Sequence, residues 1–321
     1  MRILISVSPH GWGHAARQRE LVRLLWEKHP GLDIHVASGA PKWFWLNSPV
    51  KRVHPPLPSP IPIDRDGDVD MESTKKAILE YTGKMEHLLE TGKAFVAGLS
   101  PDLVFSDVDP LPVSASAELG IPVFLLGNFT WDWIYVSLFP HLARECGLLT
   151  SAYRGAVYLR LPMGPGYSPC SRTVEMPLLP GGPPGNASRA KLLTGPGPYT
   201  LLAFREPPPG GIPGAVSGFT VASMPENLLG ADLCVTPEDL ERKGATFSDL
   251  MAGARRVVCK AGYGILSQLL AEGREAVILT GRRFPEEPHL MEGWKRLRGG
   301  PETGNQLRQN FLKAFIQAVG L

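Results

Sequence analysis

The apolar residues of this chain fall into short unbroken runs separated by stretches of helical period. Residues 3–7 form one such run, and residues 34–37, 103–105 and 123–126 form others. Runs of this length, apolar on both faces, are the mark of strands buried in a parallel sheet. Between them, residues 14–28 set Leu21, Leu24 and Leu25 on one helical face, and residues 73–99 and 112–119 also carry helical patterns. A second alternating set follows. Its strand runs are residues 199–204, 219–222, 233–235, 257–259 and 276–279, and its helical stretches are 247–254, 265–272 and 306–319. Repeated strand–helix alternation predicts a doubly wound α/β sheet. Two such sets predict two Rossmann-like domains facing a central cleft, residues 1–155 and 156–321, with the last helix packing back on the first. Residues 159–218 between them are rich in Pro and Gly, and the linker is placed near the start of that stretch.

Composition narrows the partners. The chain has 321 residues, 33 Lys+Arg against 31 Asp+Glu and a net charge of +2. A nucleic-acid binder draws its affinity from a strongly basic surface, so that class is set aside. Residues 1–8 read as a first strand rather than a secretory signal, and no segment has the apolar length of a membrane span. Cys146, Cys170, Cys234 and Cys259 show neither CxxC nor metal spacing, so free thiols in the cytoplasm and no metal site are expected. The acidic stretch 64–70 places its glycine too early for an EF-hand and reads as a solvated loop.

Three segments carry candidate chemistry. Residues 8–17 follow the first strand, on the edge where open α/β sheets bind ligands. Gly11 and Gly13 let the backbone approach a ligand, and the helix start behind them favours negative charge. The turn lacks the third glycine of a dinucleotide fingerprint. It does hold His10 and His14, and imidazole suits proton abstraction near neutral pH. Two roles stand for His14: a local helix cap, or a base. Asp107 ends the strand at 103–105 on the same edge, and a carboxylate bonded to a histidine would fix its tautomer. Capping of the helix near Pro110 by Asp107 or Asp109 is the alternative. Residues 127–135 bring aromatic faces and polar groups suited to a sugar, with Asn128, Trp131 and Asp132 assigned to the cleft. In the second half, Lys260, Gly262, Tyr263, Gly264, Ile265, Ser267 and Gln268 run from a strand through a glycine turn into a helix, whose N–H groups suit a pyrophosphate.

Residues 10–17, His-Gly-Trp-Gly-His-Ala-Ala-Arg, resemble the opening turn of the glycosyltransferase-like N-terminal region of plant L-arabinokinases. They are similar, more loosely, to the glycine–histidine turn of GT-B glycosyltransferases, including plant UDP-glycosyltransferases and the peptidoglycan N-acetylglucosaminyltransferase. Residues 127–135 match the arabinokinase-type region almost residue for residue, and residues 257–268 are similar to the family's donor-binding stretch. The resemblance implies that His14 deprotonates an acceptor hydroxyl, with His10, Gly11 and Gly13 lining the acceptor side. It implies a glutamate gripping the donor ribose where this chain has Gln268, and it sets Glu286 or Glu287 beside the donor sugar. The donor it implies is a nucleotide-sugar, expected to be UDP-linked, used as a substrate with no cofactor. Pro207–Pro209 stand where such enzymes show a glycine-rich turn, and proline offers no N–H to phosphate. The kinase half of L-arabinokinases has no counterpart here. The implied function is metal-independent sugar transfer to a hydroxyl acceptor; a non-catalytic sugar- or nucleotide-binding module and a sugar-nucleotide epimerase are the alternatives.

Overall fold

A computed structural model describes residues 1–65, 68–204, 208, 211–212, 218–223 and 229–321. The first half supplies β1 (Arg2–Val7), β2 (Asp33–Ala37), β3 (Arg52–His54), β4 (Asp64–Arg65), β5 (Asp68–Val69), β6 (Leu103–Asp107), β7 (Val123–Gly127), β8 (Val157–Arg160) and β9 (Arg172–Glu175). Seven of these form a parallel sheet in the order β3-β2-β1-β6-β7-β8-β9. β10 (Thr200–Ala203), β11 (Thr220–Ala222), β12 (Leu233–Cys234), β13 (Arg256–Lys260) and β14 (Ala276–Leu279) form a second parallel sheet, ordered β12-β11-β10-β13-β14. Each sheet reverses its strand order once, between β1 and β6 and between β10 and β13. Beyond the carboxyl ends of the strands at such a reversal lies the crevice where open α/β sheets take ligands.

The helices are α1 (Trp12–Lys28), α2 (Met71–Gly83), α3 (Met85–Leu99), α4 (Pro110–Glu118), α5 (Trp131–Leu138), α6 (Ala143–Ala152), α7 (Ala187–Thr194), α8 (Pro237–Arg242), α9 (Phe247–Gly253), α10 (Tyr263–Glu272), α11 (Glu286–Leu297) and α12 (Gly304–Val319). The helical pattern at 73–99 is therefore two helices rather than one. They part at Lys84, just after Gly83, the residue with least to hold a helix together. Asp70 caps α2, accepting the Ser73 N–H at 3.0 Å.

Two other expectations need correction. The first sheet does not end at residue 155. Tyr158 and Leu159 are fully buried, β8 pairs with β7 and β9 with β8, so the sheet runs to Glu175 inside the Pro/Gly-rich stretch. Where it is described, the acidic stretch is not a loop alone, although Asp64 stays exposed. β4 and β5 pair antiparallel, and their carboxylates meet the other half of the chain: Arg282 bonds Asp64 at 3.0 Å, and the Arg283 N–H bonds Asp68 at 2.8 Å.

The core is continuous across both sheets, with Ile3 and Phe105 of the first in one cluster with Leu201 and Val257 of the second. Helix α12 opens with a Thr303–Gln306 capping box and lies against the first half, its Phe315 ring 5.1 Å from that of Phe105. Phe311 and Phe315 are fully buried, each worth about 1.5–3 kcal/mol by apolar transfer. Arg308 of the same helix donates to buried Glu20 of α1 at 2.8 Å and to the Gly182 carbonyl at 2.8 Å. Of the proline loop, Pro207 and Pro209 lie outside the described residues, while the Pro208 carbonyl accepts the Gly211 N–H at 3.0 Å. Among the described residues no helix is long and apolar enough to cross a membrane, and the four cysteines carry no disulfide.

Candidate active site

The turn after β1 places Gly11 at the N-cap of α1 with φ 73°, a left-handed conformation that a side chain would strain. No side chain caps this helix, so the capping role for His14 is not realised. Instead His14 Nδ1 lies 2.6 Å from Asp107 Oδ1 at the end of β6. Two further side chains share that carboxylate. Arg17 donates from Nη2 to Oδ1 at 2.6 Å and from Nε to Oδ2 at 3.2 Å, and Gln18 donates to Oδ2 at 2.6 Å. Burial pushes the Asp107 carboxyl up, but the Arg17 and His14 charges and hydrogen bonds outweigh it and bring it down to about 2. An ionised carboxylate only accepts, so the bond to Asp107 is made by a proton on His14 Nδ1, which also lies 3.0 Å from Arg17 Nη2; in the neutral ring with that proton, Nε2 is the acceptor. Arg17 and Gln18 are absent from the residues assigned by sequence. The available signal is spacing: three and four residues beyond His14, they share its helix face.

Asp109 does not cap α4 either. Its Oδ1 accepts the Trp131 indole N–H at 3.0 Å and a short bond from the Ser59 hydroxyl. Burial pushes its carboxyl up to about 7, against the hydrogen bonds from Ser59 and Trp131, with the neighbouring Asp107 charge adding to the rise. Val108 between the two aspartates has φ 58°, rare for a β-branched residue, and this turn aims the carboxylates at different partners.

Around His14 the rings close in. His10 stacks on Phe284 at 5.5 Å, meets Trp131 edge-on at 5.3 Å and stands 6.2 Å from His14. Burial, then the His14 and Arg282 charges, lower its pKa to about 3, so His10 is neutral at physiological pH. Asn128 is fully buried, accepts from Arg17 at 3.3 Å and donates across the cleft to Glu286 at 2.6 Å. Trp131 is fully buried beneath His10 and supports the site rather than lining an open surface. Asp132 is not in the cleft. Adjacent helical residues face different ways, and its carboxylate accepts from Thr150 and Tyr167, each at 2.8 Å.

In the second half, α10 begins after the turn that follows β13. Gly262 is its N-cap, no side chain caps it, and its first turn holds no acid. Gly264 abuts Gly13: a Cβ at Gly264 would come within 3.2 Å of the Gly13 Cα. Two uncapped helix starts, each with a partial positive charge, thus meet across the cleft. Tyr263 is buried beneath Arg17, whose guanidinium carbon lies 5.1 Å from the ring centroid, and its hydroxyl is engaged by Leu179. Lys260 and Ile265 are half-buried beside this turn, and Ser267 donates to the Gly264 carbonyl at 3.2 Å.

Two donor-side assignments come out differently. Gln268 does not reach the cleft; its amide donates to the Pro183 carbonyl and to Glu272, both at 2.9 Å, because the loop 181–185 passes across α10. Glu287 holds its own loop, accepting the N–H groups of Gly281 at 2.6 Å and Arg282 at 3.4 Å. Glu286 faces the cleft, with burial raising its pKa against the Asn128 hydrogen bond.

Both halves repeat one topology, and solved structures share it end to end. Arabidopsis thaliana UGT89C1 complexed with UDP superposes with TM-score 0.57 at 12% identity, over 100% of this chain and 99% of that one. The glycotransferase of kitacinnamycin superposes with TM-score 0.56 at 15% identity, over 99% and 91%. The chain has the GT-B glycosyltransferase fold. Glycosyltransferase VinC in complex with DTDP shares this GT-B frame with TM-score 0.54 at 16% identity, over 100% and 94%. In sequence, the chain is 27% identical over 310 residues to the L-arabinokinase of Arabidopsis thaliana, covering 88% of this chain. It spans 28% of the length of that curated relative. No protein-family profile matches. The His14 turn follows β1 and the Gly262 turn follows β13, each a strand that borders the reversal of its own sheet.

Proposed function

We propose that this protein transfers a sugar from a nucleotide-sugar to a hydroxyl acceptor. The observation that carries the reading is the buried 2.6 Å bond between His14 Nδ1 and Asp107, at the strand-order reversal of the first sheet. His14 Nε2 takes the acceptor proton, and the acceptor oxygen bonds to the anomeric carbon. The bond from that carbon to the diphosphate oxygen breaks, and the nucleoside diphosphate leaves. Asp107 holds the imidazole and faces the charge that develops on it. The N–H groups at the start of α10, with Lys260, receive the diphosphate, so this reading requires no metal. Glu286 is the carboxylate placed to bond donor-sugar hydroxyls, once its bond to Asn128 opens. A UDP or dTDP donor is supported by the UDP in the UGT89C1 complex and the dTDP in the VinC complex.

A second reading, a nucleotide-sugar-binding body without transfer, is favoured by Gln268 and Glu287, whose polar groups are held by their own chain. A thermal-shift screen over UDP-, GDP- and dTDP-sugars, followed by turnover of whichever stabilises the chain, separates them. Transfer predicts that His14→Ala keeps donor binding and loses about 10²–10⁴-fold in rate. Turnover indifferent to His14→Ala would overturn the base assignment, and tight binding with no turnover by the native chain would favour the second reading.

A further inference from the structure

A cavity of about 660 Å³ opens along β3 and beside the carboxyl end of β2, lined by none of the residues placed in the candidate active site. Its floor is apolar, with Trp45 buried at 3% exposure and half-buried Val50 and Val53 beside it, and exposed Leu46 at its edge. Lys42, Lys51 and Arg52 stand exposed on its rim. The lining includes no Asp or Glu, and none of these three cations has a carboxylate partner among the described residues. The Trp45 indole N–H is buried without a hydrogen-bond partner among the described residues. Buried indole N–H groups ordinarily have one.

The wall carrying Trp45 is braced. The 3₁₀ turn Lys42–Trp45 is tied to α1 by Arg19, which donates to the Leu46 carbonyl at 3.1 Å, and by the Trp12–Trp43 ring contact at 5.5 Å. Across the cavity His54 stacks on His35 at 5.3 Å and bonds it at 2.9 Å. A cavity of this size falls in the range that takes small organic ligands. An apolar floor and three rim cations describe a single chemistry.

We propose that this cavity is a second ligand site, which binds a small organic anion whose apolar body lies over Trp45 and whose charged end meets Lys51 and Arg52. A carboxylate and a phosphate monoester share that chemistry. The site is independent of sugar transfer and stands whether or not the chain is a transferase.

The test follows the Trp45 indole N–H by NMR in chain labelled with ¹⁵N-tryptophan, its signal assigned with Trp45→Phe. The probes are phenyl phosphate, benzoate and benzyl alcohol. A saturable shift with either anion, at least about tenfold tighter than with the neutral alcohol, is expected. Tighter binding of phenyl phosphate or of benzoate tells which acid the site prefers. The exposed double change Lys51→Gln with Arg52→Gln should weaken anion binding about tenfold or more and leave the alcohol unchanged. Equal binding of alcohol and anions, an indole signal unmoved by both anions, or indifference to the double change would each overturn the proposal.

Discussion

Two neighbouring aspartates, separated by one strained valine, are driven in opposite directions by their partners. Asp107 is lowered, so its contribution to stability is complete above the ordinary carboxylate range and lost as pH falls through about 2. Asp109 is raised, so the folded state favours its protonated form. Its contribution is complete below about pH 4 and lost as pH rises through about 7. In urea unfolding Asp109 should therefore contribute a stability loss between about pH 4 and pH 7, at most about 1.4 kcal/mol per pH unit, against the opposite slope from His10, which is lowered to about 3. Asp109→Asn still accepts from Ser59 and Trp131 through its carbonyl and should abolish that slope. An unchanged slope in the variant would place its origin elsewhere. The pairing of His14 with Asp107 was legible in the sequence because strand ends and the turns after them occupy fixed positions in a doubly wound sheet. Asp132 was not, since choosing which of two adjacent helical residues faces the cleft depends on the seat of α5 and not on residue type.

At the scale of elements, the position of α10 depends on the loop that crosses it. A Cβ at Gly181 would strike the Gly264 carbonyl, so the loop reaches α10 only because that residue lacks a side chain. Gly181→Ala should cost about 1–3 kcal/mol of stability, as overpacking does, and weaken nucleotide binding by shifting the start of α10. Chemical denaturation and the thermal-shift screen measure the two effects. If both were unmoved, the loop would have a looser seat than its geometry describes. The crossing explains why Gln268 was misplaced from sequence. Its spacing along α10 is local information, whereas the loop that claims its amide lies far away in the chain and is brought there by tertiary packing. The same distinction applies to β8 and β9, whose Pro- and Gly-rich surroundings read as linker while their pairing partner is β7.

For the whole molecule, the two halves are joined by specific buried groups. Glu20 of α1 is fully buried and bonded by Arg308 from α12, and Arg23 holds it at 2.7 Å. Removing one partner of a buried pair costs about 3–5 kcal/mol, and the remaining Arg23 contact places Arg308→Ala at the lower end of that range. A loss below about 0.5 kcal/mol, the ordinary effect of a surface change, would show that the joint does not depend on this pair.

The clasp of α12 on α1 also sets the order of events in biosynthesis. Helix α12 is made after both sheets, so while the chain emerges the first half has strands and helices but lacks the cover for Phe105 and the partner for Glu20. A nascent first half is then a sticky intermediate, dependent on chaperones or on slow, late docking, rather than a domain that folds and waits. A fragment ending at residue 180 should accordingly recover poorly from refolding, and separately added 181–321 should rescue it.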